Sequence, residues 1–205
     1  MTKLDNTLDI QIGSAIVVRA LEKEKTHISS GKLSASKLGS PLQWQILYVR
    51  GVPSKEIDEY TYRKFLRGNH VEDWLIGEIK CVDKQKFVEY RNVVGYADAI
   101  IDTKDWQFPC GIIPLEIKSV ANSKFKRIVK EKNADRGHKL QAGLYALALG
   151  YDNFAVCYVA ADDYRIHTYI YETKDIKEEI DRIIDRFDEA IKIPKVPEFE
   201  ATESW

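Results

Sequence analysis

The fold of this chain is decided by two neighbouring stretches, VVGYADAII at residues 93–101 and GIIPLEIK at residues 111–118. Both are short and apolar, which is typical of strands that lie in a protein core. Each stretch nevertheless carries charge: Asp98 in the first, Glu116 and Lys118 in the second. Burying an unpaired charge is strongly unfavourable, so these three side chains need partners.

The spacing of these charges predicts that they meet. Side chains at positions i and i+2 of a strand share a face, so Glu116 and Lys118 point the same way and Asp98 reaches them if the two strands are adjacent. Two neighbouring carboxylates repel unless a cation lies between them, and magnesium prefers such oxygen ligands. The pattern predicts a divalent-metal site with a lysine beside it. The alternative is a structural Glu–Lys pair, or a strand edge where both tips reach water.

Length and composition favour one domain of an ordinary globular protein. The chain has 205 residues, of which 44% are hydrophobic and 31% charged, and its net charge of −1 does not indicate a nucleic-acid binder. Three cysteines without a C-x-x-C pair favour a reducing compartment. Because we find no signal peptide and no apolar run of membrane-spanning length, we expect a cytoplasmic protein that does not cross a membrane. A homo-oligomer is compatible with the sequence but cannot be read from it.

The order of predicted elements indicates an α/β fold with a mixed central sheet flanked by helices. Residues 1–80 are predicted to be mostly helical, residues 86–191 to form an α/β catalytic core, and residues 194–205 to form a tail. The predicted helices of the first part are an apolar stripe over residues 12–21, a helix from Ser34 or Ser36 towards Leu47, and a helix over residues 55–80. The predicted core elements are strands at 86–91, 93–101 and 111–118, a helix at 135–149, strands at 154–160 and 165–171, and a helix at 173–191.

Two of the predicted helices carry further candidate residues. His70 would supply a neutral imidazole that suits manganese as well as magnesium, although a lone histidine is more often an ordinary surface or core residue. Glu72 and Asp73 are neighbouring alternatives that face other sides of the helix. Gln141 and Tyr145 are four residues apart and therefore share one helix face, where they can contact a phosphate or hold the catalytic lysine. An amphipathic helix with ordinary polar exposure is the alternative.

A basic run follows the predicted metal site. Residues 118–139 contain eight Lys or Arg and two acids, whereas residues 172–189 contain eight acids and four bases. A basic run is often only a solvated loop. This one connects the metal site to the Gln/Tyr helix, so we interpret it as a flexible segment that binds DNA phosphates, with Phe125 available to stack on a base. Its candidate DNA-binding residues are Lys124, Lys126, Arg127, Lys130, Arg136 and Lys139.

Together these motifs resemble those of the PD-(D/E)XK nuclease superfamily, and in particular its RecB-like branch, which includes nucleases of CRISPR spacer acquisition. The resemblance covers roughly residues 33–171. The matching motifs, in chain order, are the serine motif Leu33–Leu38, Gly68 with His70, the G-x-x-D motif Gly95–Asp98, the E-x-K motif Glu116–Lys118, and Gln141 with Tyr145. Each motif is weak alone, but five in this order are specific.

The resemblance implies a restriction-endonuclease-like core and assigns roles to the residues. His70, Asp98 and Glu116 would bind Mg²⁺ or Mn²⁺, with help from the backbone carbonyl of Ile117. Lys118 would assist catalysis, and Gln141 and Tyr145 would support the site or the DNA. Many members of the branch bind an iron–sulfur cluster through four cysteines. This chain has only three, so it resembles the compact form without the cluster, which is known in viruses including those of archaea, and a viral chain would act in the host cytoplasm.

The sequence therefore predicts a divalent-metal-dependent nuclease that hydrolyses DNA, with single strands as the favoured substrate and a role in DNA replication, recombination or repair. Endonuclease and exonuclease action are both open. One alternative is a Holliday-junction or other structure-specific endonuclease. The other is a catalytically inactive DNA-binding module, which the intact set of Asp98, Glu116 and Lys118 disfavours.

Overall fold

The computed structural model describes residues 31–52, 58–106 and 110–196. The predicted apolar stripe at 12–21 lies outside these residues, as does the end of the predicted tail. Across the three described ranges, no helix is both long and apolar enough to cross a membrane.

The described chain alternates between helices and strands in an α/β order. A 3-10 turn at Ala35–Lys37 separates the first strand from the first helix. The elements are β1 Leu33–Ser34, α1 Leu42–Val49, α2 Glu59–Glu78, β2 Cys81–Tyr90, β3 Val93–Asp102, β4 Ile112–Val120, α3 Asn122–Glu131, α4 Arg136–Leu149, β5 Asn153–Ala160, β6 Ile166–Glu172 and α5 Lys174–Ala190.

The strands form one mixed sheet in the order β1-β3-β4-β5-β6, with β2 paired to β3 as well. The β2–β3, β3–β4 and β5–β6 pairs are antiparallel, whereas β1–β3 and β4–β5 are parallel. The parallel β4–β5 pair needs a crossover connection, and α3 and α4 provide it. The predicted mixed α/β sheet is confirmed.

Helices cover both faces of the sheet. On one face, α2 packs its buried Val71 and Leu75 against apolar side chains of β3, β4 and β5, including Ile101 and Leu115. On the other face, α4 and α5 enclose the larger core, which includes the fully buried Tyr158. Because β4 and β5 are covered on both sides, their sequences are nearly continuous apolar runs, and a charge within them is conspicuous.

Most of the predicted core elements are confirmed to within a residue or two. The predicted hairpin of β2 and β3 is present, although β2 begins at Cys81, earlier than the prediction. The predicted end of α4 at Gly150 is confirmed, since this residue adopts the left-handed conformation (φ 74°) that favours glycine at a helix terminus.

The prediction of one helix from Ser34 or Ser36 towards Leu47 is wrong. Residues 33–34 instead pair with β3, and the helix begins only after Pro41. Gln45 stabilises the intervening turn, because its buried side-chain amide donates to the carbonyls of Lys37, Leu38 and Ser40. Burial of Ala35 and Leu38 supports this turn, which local propensity does not predict.

The basic run is not the flexible segment that the sequence suggested. Residues 122–131 form α3, which buries Phe125 and Ile128 on one side. Phe125 is only 5% exposed and has the Arg165 guanidinium over its ring, so it is a core residue in this structure and not a base-stacking one. The short apolar stripe of α3 is hidden in the sequence by the surrounding lysines.

Candidate active site

The candidate site lies where one edge of β3 changes partner. β2 pairs with β3 along nearly its whole length, so β1 and β4 must share the other edge. On that edge β1 pairs with Val93 and Val94, and β4 pairs with β3 from Ala99 onwards. The segment Gly95–Asp98 lies between these two partners, and among the described residues no strand pairs with it on this edge.

Asp98 and Glu116 stand at the point where β3 and β4 separate. The last paired residues are Ala99 and Leu115, and one more step in the same register would place Asp98 opposite Glu116. The Asp98 carboxylate instead accepts a hydrogen bond from the backbone amide of Ile117 at 2.7 Å. The aspartate therefore replaces a strand-to-strand hydrogen bond, and the two predicted carboxylates are brought together.

Glu116 is the most deeply buried charged group that the structure describes. Its residue exposure is 0%, and that of Asp98 is 9%. The Lys118 ammonium forms an ion pair with Glu116 Oε1, but neither oxygen of Glu116 has a hydrogen-bond partner among the described residues. Burial raises the pKa of Glu116 to about 8, the Asp98 carboxylate adds to the rise, and Lys118 opposes it. Burial likewise raises the pKa of Asp98.

Lys118 lies between the buried carboxylates and solvent. It shares the face of Glu116, as the i, i+2 spacing predicted, and its side chain is 27% exposed. Burial acts to lower the pKa of Lys118, but Glu116 and Asp98 outweigh this effect and raise it above the ordinary value. The lysine is therefore a permanent cation with one side towards the carboxylates and the other accessible from outside.

Helix α2 brings Glu72, and not His70, to this cluster. Burial and the nearby Asp98 raise the pKa of Glu72 to about 7, and Lys118 partly opposes them. The Glu72 carboxylate also accepts a hydrogen bond from the side-chain amide of Gln85 on β2. His70 is exposed, and two helix residues correspond to a turn of about 200°, so it projects from the side of α2 opposite to Glu72. The structure does not bring the predicted histidine ligand to the carboxylates.

The position of α2 determines this outcome. Arg67 Nε donates to Ser119 Oγ at 3.2 Å, which fixes the middle of the helix near the end of β4. The sequence named Glu72 as an alternative only because it is next to His70. Val71 and Leu75 are the buried residues of α2 and must face the sheet. Their helical spacing places Glu72 towards β2, and this signal distinguishes Glu72 from His70.

The predicted pair on α4 faces the site. Gln141 Nε2 donates to the Tyr145 hydroxyl at 2.9 Å, and both side chains are buried. Burial raises the pKa of Tyr145, and Glu116 and Asp98 raise it further, which places the phenol beside the carboxylates. A Cβ on Gly95 would lie 2.8 Å from Tyr145 Cε1, so the glycine of the G-x-x-D motif makes room for this ring.

His138, at the start of α4, lies behind the lysine. Its Nδ1 is 2.8 Å from the hydroxyl of Tyr158, which pairs with Lys118 across β4 and β5. Burial lowers the pKa of His138 to about 4, and the neighbouring Lys118 and Lys124 lower it further, so the ring is neutral near pH 7.

The six predicted DNA-binding residues divide into two groups. Lys124 and Arg127 form ion pairs with Asp135, and Arg136 forms one with Glu179. Lys139 lies over the ring of Tyr171. Lys126 and Lys130 are exposed on α3, and no ion pair joins them to another residue in the described ranges.

The arrangement fits a divalent cation. Asp98 and Glu116 are buried and Glu72 is half-buried, and Lys118 is the cation that opposes their charge. When all three carboxyl groups are ionised at high pH, the site therefore carries a net negative charge. The unsatisfied oxygens of Glu116 are hard oxygen ligands of the type that magnesium and manganese prefer. Among the described residues, no three His, Cys, Asp or Glu side chains are grouped tightly enough in this structure to hold a metal ion, and Lys118 pairs with Glu116.

No family model matches the chain, and no curated protein matches its sequence. Its fold is similar to solved structures. The crystal structure of SSO0001 has 18% identity and a TM-score of 0.52, with 92% of this chain and 89% of that chain covered. For the alkaline exonuclease LHK-Exo from Laribacter hongkongensis the identity is 14% and the TM-score 0.55, with 79% and 90% covered. A further structure of LHK-Exo is in complex with dAMP.

A phage-related exonuclease from Haemophilus somnus 129PT is also similar, with 13% identity, a TM-score of 0.50, and 78% of this chain and 95% of that chain covered. At such identities the similarity establishes the fold alone. The chain therefore has the α/β fold of these exonucleases, with a mixed central sheet flanked by helices.

Proposed function

We propose that this chain is a divalent-metal-dependent nuclease that hydrolyses phosphodiester bonds of DNA. One observation carries the proposal: Glu116 is fully buried beside Asp98 at the point where β3 and β4 part, and Lys118 is its ion-pair partner. A structural Glu–Lys pair leaves the other carboxylates unexplained. The exonucleases that share the fold support the assignment.

Asp98 and Glu116 are the proposed ligands for Mg²⁺ or Mn²⁺. Glu72 is the proposed third carboxylate, in place of the predicted His70, because Asp98 raises the pKa of Glu72 and Glu72 in turn raises that of Glu116. The backbone carbonyl of Ile117 remains a proposed ligand. When bound, the ion would polarise a phosphoryl oxygen and make a bound water more acidic.

The remaining side chains hold and orient the reacting groups. Lys118 keeps its proton and is partly exposed, so its ammonium neutralises negative charge that develops on a phosphate at the mouth of the site. Tyr145 keeps its phenolic proton, because burial and the carboxylates raise its pKa. Its hydroxyl accepts a hydrogen bond from Gln141, which fixes the position of the phenol. The pair thereby orients the carboxylates without adding charge.

The motif order supports a place in the RecB-like branch of PD-(D/E)XK nucleases, in the compact form without an iron–sulfur cluster and of possible viral origin. We propose single-stranded DNA as the favoured substrate and DNA replication, recombination or repair as the process. The LHK-Exo structure with dAMP shows that a protein of this fold binds a deoxynucleotide.

A cleavage panel tests the proposal. The protein is incubated with Mg²⁺ or Mn²⁺ and with end-labelled linear single strands, closed single-stranded circles, duplexes and four-way junctions. We expect hydrolysis of DNA that stops when EDTA removes the ion. Cutting of the circle would establish endonuclease action, and digestion of linear strands alone would establish exonuclease action. Hydrolysis that persists in EDTA, or none on any substrate with either ion, contradicts the proposal.

A further inference from the structure

Two exposed aromatic side chains adjoin the candidate site. Phe87 on β2 and Tyr96 on β3 are direct cross-strand partners. Their ring centroids are 5.4 Å apart in an edge-to-face arrangement, and the residues are 49% and 57% exposed. Large aromatic residues normally bury most of their surface, so an exposed pair beside a cluster of buried charges requires an explanation.

The pair lies on the face of the sheet that carries α2. Gly95 points towards Tyr145 of α4, since an added Cβ would collide with that ring, and its cross-strand partner Val88 is buried. Neighbouring residues of a strand point to opposite faces. Tyr96 and Phe87 therefore point away from α4, to the side from which α2 contributes Glu72.

The distance to the acidic cluster is short. Tyr96 precedes Asp98 by two residues on β3, and Phe87 follows Gln85, which contacts Glu72, by two residues on β2. Two strand residues span roughly 7 Å, a separation that one nucleotide of an extended DNA strand covers. Along the strands, the aromatic rings therefore lie about one nucleotide's length from Asp98 and from the contact between Gln85 and Glu72.

We propose that Phe87 and Tyr96 form a stacking platform for an unpaired base of the DNA strand held at the candidate site. The proposal rests on the nuclease function proposed above and names the residues that favour single strands. An unpaired base offers both π-faces to aromatic rings, whereas a base within a duplex is already stacked on its neighbours. A platform at this position selects single strands without reading their sequence.

Another exposed aromatic pair offers a matched control. Trp74 and Tyr164 are also in edge-to-face contact, with centroids 5.0 Å apart, and are 38% and 45% exposed. Trp74 is two helix residues from Glu72, so it projects from the opposite side of α2. Loss of this pair removes equivalent exposed aromatic surface away from the proposed platform.

The experiment measures binding of labelled oligothymidylate by fluorescence anisotropy in EDTA, where metal-dependent cleavage cannot occur. The strands are either intact or lack one base at successive positions. Wild-type protein is compared with the double variants Phe87→Ser/Tyr96→Ser and Trp74→Ser/Tyr164→Ser, and circular dichroism confirms that each variant is folded. Since the substituted residues are exposed, we expect all three proteins to fold.

We expect the Phe87/Tyr96 variant to bind single strands about tenfold more weakly, the loss of one base–aromatic contact, while its binding to duplex is unchanged. A missing base at one position should weaken binding to wild type by a similar factor and have no further effect on this variant. The control variant should behave as wild type. This non-additivity separates stacking from a structural cross-strand pair, which contributes only to stability.

Unchanged single-strand affinity in the Phe87/Tyr96 variant, or equal sensitivity to missing bases in variant and wild type, would overturn the stacking proposal alone. Wild-type protein that binds no DNA and cleaves none with Mg²⁺ or Mn²⁺ would overturn the proposed function and the platform with it. Cleavage kinetics give a second readout: the Phe87/Tyr96 variant should show a raised KM on single strands with kcat preserved.

Discussion

At the scale of single residues, the account depends on how the burial of Glu116 is tolerated. A buried carboxylate whose ion-pair partner is Lys118 alone is still costly, and the protein reduces this cost by holding the proton up to a pKa of about 8. A divalent cation removes the same cost by another route. Proton and metal therefore compete for one set of oxygens, and both of the following predictions use this competition.

The metal-free protein should lose stability as the pH rises. In the unfolded chain Glu116 loses its proton near its ordinary pKa of 4.5, whereas in the folded protein it does so near about 8. The folded state therefore holds more protons between these values, and its free energy of unfolding falls across this window. We expect Glu116→Gln to gain about 3 to 4 kcal/mol relative to wild type between about pH 5 and about pH 8. Urea denaturation in EDTA measures the difference, and an equal difference at both pH values contradicts the assignment.

Glu72 should matter for metal binding more than His70. Because the Glu72 carboxylate interacts electrostatically with Asp98 and Glu116, we expect Glu72→Gln to weaken Mn²⁺ binding by at least about tenfold in calorimetry. The control is His70→Gln, which alters the exposed opposite side of α2 and should leave the affinity unchanged. A larger loss in the histidine variant would restore the ligand set that the sequence alone predicted.

At the scale of secondary-structure elements, the site exists because β3 exchanges one partner for another. The sequence predicts this region well, since Asp98, Glu116 and Lys118 interrupt apolar strands and few arrangements of strands can satisfy them. The sequence predicts less well those features that depend on how the elements pack against one another. The two-residue β1 carries almost no periodicity, and the apolar stripe of α3 contains only two buried side chains.

The choice between His70 and Glu72 shows the same limit on prediction. Both lie on one well-predicted helix, and only the rotation of α2 against the sheet, set by Val71 and Leu75, decides which of them approaches the carboxylates. That rotation is a property of packing between elements. A local motif does not encode it, so the sequence alone does not choose between His70 and Glu72.

The close contact between β3 and α4 gives a prediction for Gly95. In Gly95→Ala the new methyl group would lie 2.8 Å from Tyr145 Cε1 and 3.0 Å from the Ala35 side chain. We expect a loss of about 1–3 kcal/mol in the free energy of unfolding and reduced cleavage, because Tyr145 must move. Gly68→Ala is the control, since nothing lies within 4 Å of its added carbon and alanine favours a helix interior by up to about 1 kcal/mol. Equal stability of the two variants would contradict the packing described here.

At the scale of the whole molecule, a net charge of −1 conceals a separation of charge. Arginines from other elements balance part of the charge of the acidic helix α5: Arg91 pairs with Asp185 and Asp188, and Arg136 pairs with Glu179. Of the predicted DNA-binding run, Lys126 and Lys130 have the exposed positions most suited to a phosphate backbone.

The charge separation predicts a specific salt dependence. We expect the double variant Lys126→Glu/Lys130→Glu to bind single-stranded DNA more weakly and to reduce the slope of log affinity against log salt by about 1 to 1.5, as expected for two lost phosphate contacts. Lys192→Glu, just beyond the acidic α5, makes a change of the same kind elsewhere and should leave the slope intact. Anisotropy titrations at several salt concentrations measure both, and an unchanged slope in the double variant would make α3 a purely structural helix.

The central claim is that Glu116 is present for a metal ion and not for the fold. Its most direct test is the rate of single-strand hydrolysis with Mg²⁺ or Mn²⁺ in wild type and in Glu116→Gln, which preserves the shape of the side chain and removes its charge. The account predicts that the variant folds, is at least as stable as wild type at about pH 8, and cleaves at least about 100-fold more slowly. A folded Glu116→Gln protein that cleaves at the wild-type rate would contradict it.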